Sequence, residues 1–408
     1  MNKTLNQNPA SGFVRNNTLD FIRACAVLLV ILNHLYPLVS AKSDPMIKKL
    51  VGFGFYVINT GGWIGVDLFF VLSGFLVSGL LFKEHHLSGK IDAARFLIRR
   101  GFKIYPSFIA LLLITFILER TFLKSDFSFA NAAYLKDLFF VHNYLGGRWA
   151  HTWSLDVEEG FYFLLTAMFL ICIRFKKLTL KTLVITYLTL LISGIAFRLA
   201  ANIQHPQYDF LMHFGKTHFR LDSLLLGVIL SYLLNYRKEA LGSFISTHQK
   251  WMLPVAALLL SLNFLLPYWE YNIVSVVFLS TNAACFGVLL MAALYKKEHV
   301  AIFNNRTISF IGQNSYCIYL WHVPVNVYLL LAFKKAGIAT PFTSVPQWLL
   351  YAACYIGLSL AAGIIFTEII EKPFLKIRET FFQSKSSPRA IEPVIENQVA
   401  LELNKHLA

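Results

Sequence analysis

The sequence predicts an all-α integral membrane protein of about ten transmembrane helices set around a central cavity. Three observations carry that expectation. Of 408 residues, 56% are hydrophobic and 14% charged, with a mean hydropathy of +0.57, whereas a soluble globule carries roughly 25% charge. Apolar runs of about twenty residues, each long enough to cross the hydrocarbon layer as a helix, recur along the chain. The first of them, Leu19 to Leu35, carries Asp20, Arg23 and His34, and such groups sit in a bilayer only where they face a wet or polar interior.

In chain order, a polar cytoplasmic leader (1–18) precedes spans near 19–39, 64–82, 104–119, 153–173, 181–200, 216–235, 251–268, 273–295, 308–333 and 347–370. Alternate connections are rich in cations: Lys83 to Lys103 after the second span, Arg174 to Lys181 after the fourth, Arg237 to Lys250 after the sixth, Lys296 to Arg306 after the eighth, and Lys372 to Arg378 after the tenth. The intervening connections are poorer in them, Lys334 and Lys335 excepted. That alternation puts both termini in the cytoplasm. No long polar linker divides the membrane region, so 19–375 reads as one domain. The remainder, 376–408, is a cytoplasmic tail whose composition from Ser384 suits disorder.

The formal net charge of +15 is explained by cations flanking membrane spans, and no nucleic-acid partner is expected. The five cysteines all fall in apolar runs with neither metal-ligand nor paired-loop spacing, and read as packing residues. The polar leader and the histidine near the far end of the first span argue against a signal peptide cleaved after Val39-Ser40-Ala41.

Arg23 and His34 lie eleven positions apart, a turn of roughly 1100°, about 20° past three full turns, and an advance of about 16 Å. They therefore share a helix face, with a fixed cation towards the cytoplasm and a titratable imidazole in the outer third. The alternative is a buried Arg23–Asp20 pair and a histidine satisfied in the core. The same topology puts Asp67, Ser154, Glu158, Glu159, Arg220 and Asp222 towards the outer half and His322 mid-span. Acids and histidines so gather outwards while arginines gather at the inner mouth. That division suggests an anionic ligand entering from the cytoplasm and proton chemistry nearer the outside.

Four stretches supply further candidates. Gly62 to Phe82 holds Gly62, Gly65, Gly74 and Gly79, which suit close helix approach; its Asp67 needs a partner, and His34 at the same depth is the expected one. In Arg95 to Pro106, Arg95, Arg99 and Lys103 recur every fourth residue with Arg100 beside them, either a clamp for phosphates or a juxtamembrane face over anionic lipid. In His151 to Leu164, Thr152, Ser154 and Asp156 suit a helix start, but the adjacent Glu158 and Glu159 go beyond capping. Ser315 to Val325 carries Trp321, His322 and Pro324, the last expected to kink the helix. His205, His213 and His218 are too irregularly spaced for a zinc site.

Taken together and in this order, the Arg23/His34 spacing, GVDLFFVLSGFL, RFLIRRGFKIYP, HTWSLDVEEGFYFL, FRLDSLLLG, SYCIYLWHVP and Glu371-Lys372-Pro373-Phe374 resemble the membrane-bound acyltransferase family 3, the group of O-antigen and exopolysaccharide O-acetyltransferases. The resemblance implies a ten-helix enzyme of the bacterial inner membrane. It would move an acyl group, usually acetyl from cytoplasmic acetyl-CoA, to a hydroxyl of a cell-surface glycan or glycolipid at the outer face. His34 would match the family's essential histidine, Arg23 its paired arginine, and Arg95, Arg99 and Arg100 its CoA-associated cluster. Lys103 stands where the family usually has arginine and lacks the planar fork. The extra soluble hydrolase-like domain of some relatives is not expected in a chain ending at Ala408.

On that footing His34 is the expected general base, since a hydroxyl attacking a thioester must lose its proton as the C–O bond forms. Asp67 or Glu158 would orient it. Trp153, Tyr316 and His322 are candidate donors to the thioester oxygen, and no metal is expected. A transporter or flippase would equally explain intramembrane charge and glycine-rich helices, but the sequence shows no internal repeat. A non-catalytic scaffold would not require Arg23 and His34 on one face.

Overall fold

The computed structural model describes residues 17–35, 53–54, 56–123, 127–207, 209–266, 274–295, 301–338, 342 and 344–383. Most of the leader and of the tail, and the far end of the first expected span, lie outside them. Among the described residues the chain is helical, with no β-strand. The principal helices are α1 (Asn17–Asn33), α2 (Ile64–Ser88), α3 (Ala93–Leu118), α4 (Phe127–Leu138), α5 (Trp153–Arg174), α6 (Leu180–Gln204), α7 (Leu221–Tyr236), α8 (Lys238–Leu262), α9 (Leu279–Tyr295), α10 (Arg306–Gln313), α11 (Ser315–Lys335), α12 (Val345–Phe366) and α13 (Lys372–Phe381).

Among the described residues, six helical segments are long and apolar enough to cross a membrane: Tyr56–Ser88, Ala93–Thr121, Leu180–Gln204, Val274–Tyr295, Ser315–Lys335 and Val345–Phe381. The protein is thus a multi-pass membrane protein by length and composition. Four of the ten expected spans are helical but fall short of that standard for physical reasons. The described part of α1 has 17 residues and α7 has 16, about 25 Å each at 1.5 Å per residue. Helix α5 carries Asp156, Glu158 and Glu159, and in α8 the polar run Ser246 to Lys250 interrupts the apolar stretch.

Boundaries also move. Helix α3 starts at Ala93, where the Asp92 carboxylate accepts from the Arg95 amide at 3.1 Å, so the basic stretch and the span after it form one rod. The expected 308–333 span divides at Asn314 into α10 and α11, and α11 runs on helically through Pro324.

Helix α2 is the central pillar: 72% of its most apolar window is buried, against 17% for the peripheral α6. It packs most extensively on α7, through two reciprocal glycines. A Cβ on Gly74 would lie 1.9 Å from the Leu224 carbonyl oxygen, and one on Gly227 2.3 Å from that of Val71, so any side chain there would force the backbones apart. The largest core unites Val27 and Ile31 of α1, Phe70 and Val77 of α2, Phe169 of α5, Leu224 of α7, Ile318 of α11 and Tyr355 of α12.

Candidate active site

Helix α1 borders two cavities rather than one. Arg23 lines the first, of about 350 Å³, with Arg100, Lys103, Ser154, Glu158, Tyr162 and Tyr316. His34 lines the second, of about 410 Å³, with His142, Arg148, His151, Trp153 and Arg220. Val66 and Tyr319 belong to both linings and form the partition. The Tyr319 hydroxyl donates to the His151 carbonyl at 2.8 Å and meets Ser154 Oγ at 2.6 Å, which fixes the ring across the gap.

The second cavity is backed by three imidazoles. The His34 and His322 rings lie 4.9 Å apart, and those of His322 and His151 5.1 Å apart, both edge to face. Each ring uses one nitrogen on a backbone carbonyl: His34 Nδ1 on Val30 at 2.9 Å, His151 Nε2 on Leu320 at 2.9 Å, and His322 Nδ1 on Tyr319. A carbonyl only accepts, so these nitrogens carry the protons and the other nitrogen of each neutral ring keeps its lone pair. His34 lines the cavity, while His322 is fully buried behind it.

The tip of α1 is held from outside. Asn326 Nδ2 donates to the His34 carbonyl at 2.6 Å, the Tyr351 hydroxyl donates to Asn326 Oδ1 at 2.7 Å, and Asn59 Nδ2 donates to the Asn33 carbonyl at 2.8 Å. Asn326→Ala should therefore cost about 1–2 kcal/mol by leaving polar partners unmet, read as a lower melting temperature in detergent with folding otherwise intact.

Several expected partnerships are corrected. Asp67 does not meet His34: its carboxylate pairs with Arg220 and accepts from Asn282 Nδ2 at 3.0 Å, because it faces α7 and α9, where a full cation is available. Glu158 does not orient His34 either. It lines the Arg23 cavity and accepts from the Tyr162 hydroxyl at 2.6 Å. Glu159 is buried and accepts from Tyr105 at 2.9 Å. Asp222 pairs with Ser280 and with Arg198 Nη2, the latter at 3.4 Å. As oxygen donors, Tyr316 and His322 fail: the Tyr316 hydroxyl donates to the Ile104 carbonyl at 2.7 Å beside the other cavity, and the His322 proton is committed to Tyr319. Trp153 does line the His34 cavity, its ring 5.8 Å from Phe70.

The basic cluster divides as well. Arg23 keeps its i−3 partner Asp20 at 3.1 Å while lining its cavity, which is not the one that His34 lines. Arg100 and Lys103 also line that cavity, and Lys103 pairs with Glu371. Arg95 bonds Asp92 at 3.3 Å and the Gln383 carbonyl at 3.4 Å. Arg99 holds Glu379 at 2.9 Å and the Phe382 carbonyl. Those two fasten the end of α13 rather than lining the cavity, Arg99 through the distant acid Glu379 and Arg95 through the Gln383 carbonyl.

Sequence reasoning missed His151, Tyr319 and Asn326. The signal for two of them was present: Tyr319, His322 and Asn326 stand at i, i+3 and i+7, one face of a helix. His205 and His213 meet through the His205 carbonyl, 3.0 Å from His213 Nε2, and His218 Nδ1 lies 2.9 Å from the Tyr144 hydroxyl. Among the described residues no group of three His, Cys, Asp or Glu is placed to hold a metal.

A multi-helix membrane protein with paired polar cavities, one cationic and one lined by imidazole, is what this fold and site define. Residues 16–368 match the family model described as an acyltransferase domain, and the chain belongs to that family. It is 29% identical to the protein named "Putative O-acetyltransferase SAR0937" in Staphylococcus aureus (strain MRSA252), over 92% of this chain and 60% of that one. It is 26% identical to "O-acetyltransferase OatA" of S. aureus (strain NCTC 8325 / PS 47), over 69% of this chain and 49% of that one. The chain thus spans about three fifths of the length of the first of these relatives and about half that of the second. No solved structure matches it.

Proposed function

We propose that the chain is an O-acyltransferase of a bacterial inner membrane, with ten spans and both termini in the cytoplasm. It moves an acyl group from acyl-CoA to a hydroxyl of a cell-surface glycan or glycolipid at the outer face. The names of its relatives favour acetyl, hence acetyl-CoA as donor. The observation that carries the reading is His34. Its proton is fixed on the Val30 carbonyl, its Nε2 keeps a lone pair, and its ring lines a cavity adjoining one lined by Arg23, Arg100 and Lys103. Cations of that kind suit the phosphates of CoA, and the thioester arm then reaches the imidazole past Tyr319. His34 Nε2 takes the hydroxyl proton as the C–O bond forms and returns it to the departing thiolate.

The reading is tested with inverted membrane vesicles and acetyl-CoA radiolabelled in the acetyl group. Label should enter the glycan or glycolipid fraction; glycan movement without label transfer would favour a transporter and remove the reading. Arg100→Ala should raise the KM for acyl-CoA by about tenfold or more with kcat little changed, the mark of lost ground-state binding. Arg99→Ala should shift that KM by less than about threefold, because its nitrogens are held on Glu379 and the Phe382 carbonyl.

A further inference from the structure

When a hydroxyl attacks a thioester, the carbonyl π pair moves onto oxygen, and that oxygen needs donors waiting for it. Of the three side chains expected from sequence to serve, Tyr316 and His322 spend their protons on backbone carbonyls, and Trp153 lines the His34 cavity with a single neutral indole donor. Arg148, on the same cavity wall as His34, is engaged by Glu119 through Nε and Nη2. Arg220 is different. It lines the His34 cavity, is 1% exposed, and lies across the faces of Phe70 and Trp153 at 5.1 and 5.6 Å. Its Nη2 is taken by Asp67, while its buried Nε and Nη1 have no hydrogen-bond partner. A buried guanidinium with idle donors is costly unless something completes it.

The charge balance says what kind of group that is. Asp67 already neutralises Arg220, and Asp222 neutralises Arg198 nearby, so a permanent anion would leave the cavity net negative. A neutral carbonyl oxygen fits, and so does one that turns negative at the moment His34 turns positive, because the cavity's total charge then stays constant through the step.

We infer that Arg220 supplies the donors that hold the thioester oxygen during transfer, a role that rests on the acyl-CoA reading above. The hydroxyl oxygen bonds to the carbonyl carbon, its proton passes to His34 Nε2, and the displaced pair on the former carbonyl oxygen is met by Arg220. The pair then falls back to re-form C=O, the C–S bond breaks, and the CoA thiolate recovers the proton from His34.

Two CoA ligands test this without knowledge of the acceptor. The trifluoroacetonyl thioether of CoA hydrates to a gem-diol that imitates the tetrahedral adduct; the trifluoropropyl thioether has no oxygen there. The purified full-length protein should bind the first about 10²-fold more tightly than the second. Arg220→Lys, which leaves Asp67 a cation, should lose that preference and lower kcat by about 10²–10³-fold with KM for acetyl-CoA within about threefold. The double variant Asp67→Asn with Arg220→Gln removes both charges together and should also lose the preference, which keeps the test alive if the lysine variant misfolds. Preference retained in a folded variant, or no preference in the wild type, overturns the assignment of Arg220. Failure of the wild type to bind either ligand overturns the acyl-CoA reading itself.

Discussion

In His34→Ala, acyl transfer should fall by about 10²–10⁴-fold, the usual contribution of a positioned general base, while the protein stays folded. The fold survives because the neighbours of this residue hold its backbone, not its ring: Asn326 binds the His34 carbonyl and Asn59 the Asn33 carbonyl. Donor binding survives because the cationic cavity lies on the other side of Tyr319. His322 does not take its place, its ring centre lying 4.9 Å from that of His34 and its Nδ1 held on the Tyr319 carbonyl. The check is labelled acetyl transfer alongside acetyl-CoA affinity and the melting temperature of the detergent-solubilised protein. Turnover equal to that of the wild type would remove His34 as the base.

Asp67→Ala should do the opposite: little folded protein should accumulate. Removing this carboxylate strands the Arg220 guanidinium in the core, which typically costs about 3–5 kcal/mol, a large part of the roughly 5–15 kcal/mol that separates folded from unfolded protein. Asn282 loses its acceptor as well. Asp67→Asn together with Arg220→Gln should be milder than the sum of its parts, since neither partner is left charged. Thermal melting and detergent-soluble yield measure both effects. A normally folded Asp67→Ala protein that merely turned over slowly would instead make this acid a member of the reacting set.

How much of this was legible in the chain depends on sequence distance. The helical segments were, because apolar runs announce themselves locally, though the structure ends α1 at Asn33 and leaves His34 in the turn just past it. Partner choice was not. Asp67 finds Arg220 153 positions away, and Arg99 finds Glu379 280 positions away. Depth in the membrane suggested His34 for Asp67, but depth says nothing about the direction in which a side chain leaves its helix. Nor could one helix reveal that its two polar residues open into separate cavities, since the divider, Tyr319, comes from another helix almost at the other end of the chain.

That divider bears on the energy supply of the cell. In the proposed topology a single water-filled passage from face to face would conduct protons and dissipate the gradient that drives ATP synthesis. Two chambers that adjoin at a hydrogen-bonded phenol are not one open passage, and in the proposed reaction the donor's own arm fills the gap when it passes Tyr319, so many copies can reside in one membrane without short-circuiting it.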